Sequence, residues 1–195
     1  MARIMKLIDL IKTRRSIRKW KIDPISSEII KDLVAAGKSA PSSHGSNPVE
    51  LIVVDDIQLT EQLLSDRLQL KKPPHYINSR KWAKKGGLEN YEKVSPPPLL
   101  VVVCGDQNKC EDLSSLLIDM SVSTENILLT AHGLGLGGCW LYVYDESMPE
   151  TEENVKNYLN IPKNIRVLSL IALGYPNEKP TPDNKDVKSF HQNKW

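Results

Sequence analysis

Arg14, Arg15, Ser16 and Arg18 fall within five residues of one another, directly after a helical pattern. Guanidinium groups bind phosphate oxygens bidentately and a serine hydroxyl adds a donor, so the cluster suits a phosphate. Residues 14–21 hold five basic side chains in eight, and a solvated basic face is the plainer alternative. A second candidate is Pro41-Ser42-Ser43-His44-Gly45-Ser46-Asn47-Pro48. Its small hydroxyls and pliable backbone either wrap a polar ligand or form a simple loop. A third is Gly133-Leu134-Gly135-Leu136-Gly137-Gly138, which satisfies G-x-G-x-x-G. The dinucleotide fingerprint follows a strand and opens a helix, so that the pyrophosphate sits on the helix N-terminus. Here the glycines follow a helical pattern and precede a strand pattern, which excludes that site. Two uses remain: a helix C-cap with a tight backbone crossing, or a place where bare backbone meets a flat ligand.

His44 and His132 have no partners at metal-ligand or triad spacing, and there is no nucleophile elbow or P-loop. No metal is expected and no side chain is named as catalytic. Cys104, Cys110 and Cys139 form no C-x-x-C pair, so they are expected as small, reduced, buried side chains. Reduced thiols, and charged residues throughout 3–14 where a signal peptide would be apolar, point to the cytoplasm.

The elements that must position these residues follow from apolar spacing. Ile4, Leu7, Ile8 and Ile11 predict a helix over 3–13. A second helix is expected over about 27–36, with Gly37 as its stop. Residues 51–54 read as a buried strand, followed by a polar helix carrying Leu59, Leu63 and Leu64. Residues 67–98 are irregular, basic and bracketed by prolines, an excursion from the core. Residues 99–104 form the clearest strand, and a long helix over about 111–131 follows. Residues 139–144 are a third strand. Ser147 and Glu150 make a capping-box pattern before a short helix ending near Leu159. Residues 166–173 are a fourth strand. The tail, 176–195, is polar and proline-rich yet ends in Trp195, an apolar anchor for docking.

The 195 residues suggest one domain of α+β or mixed three-layer type. At 40% hydrophobic and 26% charged the chain is globular in composition, and a net charge of +2 argues against nucleic-acid binding over its whole surface. Residues 126–144 carry no Asp, Glu, Lys or Arg, but the glycines in their middle read as a helix end, a turn and a buried strand rather than a membrane span.

Taken in order, these segments resemble the nitroreductase family of FMN-dependent oxidoreductases. The carriers are Arg14-Arg15-Ser16-x-Arg18, then Ala40-Pro41-Ser42-Ser43 with Asn47-Pro48. Leu134-Gly135-Leu136-Gly137-Gly138-Cys139-Trp140-Leu141 follows, then Asn160-Ile161-Pro162, Leu173-Gly174-Tyr175-Pro176 and Lys179-Pro180. The resemblance spans almost the whole chain, 14–195. It implies an α+β, three-layer nitroreductase-like fold with a mixed, mainly antiparallel central sheet flanked by helices. It implies a single domain over 1–195, with the excursion at about 67–98 and the tail at 176–195. It implies a homodimer with two FMN sites at the subunit interface.

By the same resemblance, Arg14 and Ser16 match positions near the FMN phosphate and ribityl chain. Arg15 lies in the same binding segment, and Arg18 matches the position near the flavin pyrimidine edge. Pro41, Ser42 and Ser43 match the loop that the partner subunit lays on the flavin. Trp140, Leu141 and Tyr142 match the strand whose backbone N–H faces N5. The chain departs from the pattern at Gly45, Asn47 and Val49, and at Asp183 and Asn184, where a basic pair is common; Lys185 is the nearest tail candidate. The implied activity is transfer of electrons from NAD(P)H to nitroaromatics, quinones or another small acceptor in alternating half-reactions. The alternatives are different flavin chemistry on the same fold (dehalogenation, dehydrogenation or flavin cleavage) and a non-enzymatic anion-binding module. Tyr76, Trp82 and Tyr91 in the basic excursion are candidates to cover the flavin face and attract NAD(P)H. No nucleic acid or membrane partner is expected.

Overall fold

The two longest strands pair at the centre of the sheet. The structure, a computed structural model, describes residues 7–69, 96–180 and 190–195. In chain order these form α1 (Leu7–Thr13), α2 (Ser27–Lys38), β1 (Val49–Val54), α3 (Ile57–Gln69), β2 (Leu99–Asp106), α4 (Leu113–Gly133), β3 (Gly137–Tyr142), α5 (Pro149–Leu159) and β4 (Ile165–Gly174). Single 3-10 turns lie at Ser43–Gly45 and Gln107–Lys109. The strands form one sheet in the order β1-β2-β4-β3, every neighbouring pair antiparallel.

β2 and β4 are central and buried on both faces, which is why their sequences are mostly apolar rather than alternating, with Ser169 the buried polar exception. Leu100, Val102, Leu170 and Ala172 pack with Leu63 and Leu64 of α3 and Val155 of α5. Leu99, Val101, Ile171 and Leu173 pack on the other face with Leu33 of α2 and Leu116, Met120 and Ile127 of α4. These are the helix, sheet and helix layers expected.

Several expectations are corrected. Gly37 does not stop α2, which continues to Lys38. A side chain there would meet Ile127 Cδ1 at 2.8 Å and Leu51 Cδ1 at 2.9 Å, so this glycine serves close packing. The Ser147–Glu150 capping box does not form. Met148 is the N-cap of α5, Pro149 fills the first helical position, and the Ser147 hydroxyl donates to Asp145 Oδ1 at 2.6 Å. β3 runs from Gly137 to Tyr142 rather than over 139–144; the N–H groups of Val143 and Tyr144 both turn to the Leu168 carbonyl. α4 lies two residues later than expected, because the Asp112 side chain caps it by accepting from Ser115 N at 2.8 Å.

Of the excursion, residues 67–69 belong to α3 and 70–95 lie outside the described residues, with Tyr76, Trp82 and Tyr91 among them. Trp195 is fully exposed and stacks on His191 at 4.4 Å. Among the described residues it anchors to nothing larger. Cys104 and Cys139 are buried as expected, and burial, helped by Glu152 and Glu50, pushes the Cys104 thiol up to about 12. No helix among the described residues is long and apolar enough to cross a membrane.

Candidate functional site

The arginine cluster is held on the outer edge of the sheet. After α1 the chain turns along β3, where Ser16 makes an isolated parallel bridge with Gly138 and Ile17 N–H donates to the Gly138 carbonyl at 3.0 Å. This isolated parallel bridge lies outside the four antiparallel strands. The Trp20 indole N–H then donates to the Gly137 carbonyl at 3.1 Å, and Trp20 bridges to Pro176. Lys21 N–H donates to the Tyr175 carbonyl and Asn177 N–H to the Lys19 carbonyl, both at 2.9 Å. Residues 16–21 are thus clamped between the start of β3 and the chain leaving β4.

The glycine run makes this approach possible. α4 ends in a paired C-cap: Leu136 N–H donates to the Ala131 carbonyl at 2.8 Å and Gly135 N–H to the His132 carbonyl at 3.1 Å. Gly135 takes the left-handed conformation that closes such a cap (φ +81). The first use read from the sequence is therefore met: a helix cap at Gly135 and a close backbone crossing at Gly137 and Gly138.

A cavity of about 140 Å³ opens at this junction. Arg14, Arg15, Ile17, His132, Gly137 and Glu178 are among its walls. Arg14 Nε lies 3.4 Å from Glu125 Oε1 on α4. Arg15 is oriented by two bonds at 2.8 Å to the carbonyls of Lys12 and Arg14. His132 Nε2 lies 2.9 Å from Thr13 Oγ1. Burial, then the charges of Arg14 and Arg15, hold the His132 imidazole below its usual value. Arg14 and Arg15 give one end of the cavity positive charge, with Glu178 on its wall and Glu125 paired to Arg14. Guanidinium groups are the side chains that bind phosphate bidentately.

Arg18 is half-buried and does not line the cavity, but its backbone N–H donates to Glu178 Oε1 at 2.5 Å and that of Lys19 to the same oxygen at 3.1 Å. Glu178 was not among the residues read from the sequence. It brackets the turn that follows the arginines.

The remaining candidates lie elsewhere. β3 is the edge strand, and the Gly138 carbonyl points outward to Ile17; alternation carries the Trp140 N–H to that same outer edge, beyond the last bridge. Only the backbone faces outward there. Leu141 is buried in the α3/α5 layer, the Trp140 ring packs against the α2/α4 layer, and Tyr142 is exposed. Pro41, Ser42 and Ser43 do not line the cavity; their loop rests on α4, with Ser43 N–H on Asp119. Lys185 lies outside the described residues.

A model of the nitroreductase family matches residues 11–175. The chain belongs to the nitroreductase family. An FMN-dependent nitroreductase from Clostridium difficile R20291 superposes with a TM-score of 0.76 and 31% identity, covering 96% of this chain and 99% of that one. A structure from Parabacteroides distasonis, provisionally named NADH dehydrogenase/NAD(P)H nitroreductase, has a TM-score of 0.76 and 33% identity, covering 97% and 98%. A protein of the same provisional name from Methanothermobacter thermautotrophicus is 31% identical, covering 98% of this chain and 88% of its own. Nitroreductase family membership accounts for the segments the sequence placed in order.

Proposed function

We propose that this chain is an FMN-dependent oxidoreductase that takes electrons from NAD(P)H and passes them to a nitroaromatic, a quinone or another small acceptor in alternating half-reactions. One observation carries the proposal: Arg14 and Arg15 meet the bare backbone of Gly137 and Gly138 at the head of the β3 edge, in one cavity. The family relatives named above supply the rest, since one is FMN-dependent and two carry NAD(P)H nitroreductase in their names.

FMN, when bound, supplies the hydride and electron chemistry. The protein binds and orients it. Arg14 and Arg15 hold the phosphate at the positive end, with Ser16 and, from the tail, Lys185 beside it. The outward Trp140 N–H, in the strand that continues through Leu141 and Tyr142, offers a hydrogen bond to the ring. Arg18 places a positive charge near the pyrimidine edge, where negative charge collects on reduction. No side chain of the protein forms a bond to the acceptor.

The working unit is a homodimer of single-domain chains spanning 1–195, with FMN at the subunit interface. A cavity of about 140 Å³ is small beside the roughly 300–1,000 Å³ of ordinary ligand sites, so the described residues of one chain supply only part of the walls. The apolar stripe of α1 is uncovered, with Leu7 at 70% and Ile8 at 51% exposure. In the dimer Pro41, Ser42 and Ser43 reach the partner's flavin.

The test is anaerobic mixing of the FMN-loaded protein with NADH and with NADPH. Bleaching of the flavin absorption by either, and its return on adding a quinone or nitroaromatic, is expected. A flavin that stays oxidised under both nucleotides overturns the proposal.

A further inference from the structure

α4 carries a charge where its neighbours are apolar. Asp119 lies on the buried stripe with Leu116, Met120 and Ser123 and is 4% exposed. A buried carboxylate is tolerated only with strong hydrogen-bond partners. Its two oxygens stand 3.0 and 3.1 Å from a single donor, the backbone N–H of Ser43. Among the described residues no cation pairs with it.

The loop it holds needs holding. His44 (φ 52) and Asn47 (φ 48) both adopt left-handed backbone, which persists only when the surroundings enforce it. Asn47 N–H donates to Ser42 Oγ at 2.9 Å, and Asn47 Nδ2 to the Gly45 carbonyl at 2.9 Å. Seven residues along α4 from Asp119, Asn126 Nδ2 donates to the Ala36 carbonyl at 3.2 Å. α4 therefore grips the last turn of α2 and the middle of the α2–β1 connection. Ser42 Oγ accepts the Asn47 N–H, which ties its side chain into the loop.

We propose that Asp119 is a positioning residue, whose carboxylate captures Ser43 N–H and fixes the 41–43 loop in the shape that meets the flavin. This rests on the functional reading above, in which that loop covers the FMN bound by the partner subunit. An acceptor-only carboxylate suits the task, because it makes a charge-assisted bond to the backbone N–H rather than to a serine hydroxyl.

The test uses the full chain and titrates FMN and riboflavin by flavin fluorescence, with the absorption spectrum of the bound flavin and the thermal midpoint recorded alongside. Asp119→Ala is expected to weaken both flavins by the same factor, about tenfold or more, and to alter the bound spectrum. Asp119→Asn, which keeps an acceptor oxygen, should recover most of the loss. Ser43→Pro removes the N–H from the other side. Ser42 is already extended (φ −129, ψ 154), as a residue before proline must be, and Ser43 opens the helical turn. Ser43→Ala lacks the same hydroxyl but keeps the N–H, so the difference between the two reads the N–H alone. Ser43→Pro should be clearly worse than Ser43→Ala, and this pair decides the matter if Asp119→Ala does not fold. Asp119→Ala that lowers only the thermal midpoint overturns the assignment, as does Ser43→Pro no worse than Ser43→Ala. A loss confined to FMN would place Asp119 at the phosphate and overturns it too. Wild-type protein that binds neither flavin overturns the functional reading itself, whereas wild-type binding with unaffected variants overturns Asp119 alone.

Discussion

The Cβ of Ile17 lies 2.6 Å from the point where a side chain on Gly137 would begin. The clash is with the root of a β-branched residue, which cannot rotate away. Gly137→Ala must therefore push residues 14–18 off the β3 edge and part the Ser16–Gly138 bridge. Overpacking of this kind costs about 1–3 kcal/mol of stability. The expected outcome is a folded protein with at least tenfold weaker FMN binding, about 1.4 kcal/mol, read by titration beside the thermal midpoint. Unchanged affinity would show that the edge and the cofactor are independent.

Glu152, in the first turn of α5, is buried beside β4. It accepts from Arg166 Nε at 2.8 Å, Arg166 Nη2 at 2.5 Å and Val167 N–H at 2.8 Å, and the Arg166 guanidinium sits 4.9 Å from the Tyr144 ring. Glu152→Ala strands a cation and a backbone donor, and should cost about 3–5 kcal/mol in chemical denaturation. FMN affinity of the folded protein should not change. A loss below about 1 kcal/mol, or a change in FMN affinity, would contradict this placement.

Much of the fold was legible because β2 and β4 are central strands with long apolar stretches, and because α2 and α4 carry strong helical spacing. Gly37 misled because a glycine that ends a helix and one that lets two helices touch look alike in one chain. Ser147 misled because Asp145 competes for its hydroxyl. The positive end of the site was legible in the Arg14 segment. Its alliance with Gly137 and Gly138, about 120 residues away, was not read from local pattern and rested on the family resemblance. Asp119 and Glu178 were missed since their value lies in which backbone N–H groups the fold brings to them. The one available signal was an acid within the apolar stripe of α4.

His132 supplies a pH dependence. Its folded value lies below the usual 6.5 of the unfolded chain, through burial and then Arg14 and Arg15. The unfolded state binds the proton more readily, so stability from this group is complete above about pH 6.5 and is lost as pH falls toward the folded value. Glu28, Asp106 and Asp112 are held low by hydrogen bonds and so titrate further down. Denaturation of apoprotein between about pH 7 and 5 should show a decline that His132→Asn flattens. Parallel curves for the two proteins would contradict this.

Arg14 and Arg18 should differ in their effect on potential. A positive charge near the pyrimidine edge favours the reduced flavin, so Arg18→Ala should lower the midpoint potential. At about 1.4 kcal/mol per 30 mV, a partly solvated charge worth about 1–2 kcal/mol gives a shift of roughly 20–45 mV. Arg14→Ala, acting at the phosphate, should leave the potential nearly unchanged. Redox titration of both variants at saturating FMN decides it, and equal shifts would place both arginines at one end of the cofactor.

The most direct measurement is equilibrium titration of the apoprotein with FMN and with riboflavin, for wild type and Arg14→Ala. Wild type is predicted to bind FMN saturably, at about one per chain. Arg14→Ala should lose about 1.5–3 kcal/mol for FMN, roughly 10- to 150-fold, and distinctly less for riboflavin, which has no phosphate. Absence of saturable FMN binding in the wild type, or equal losses for the two flavins, would contradict a phosphate held by Arg14 at the head of the β3 edge.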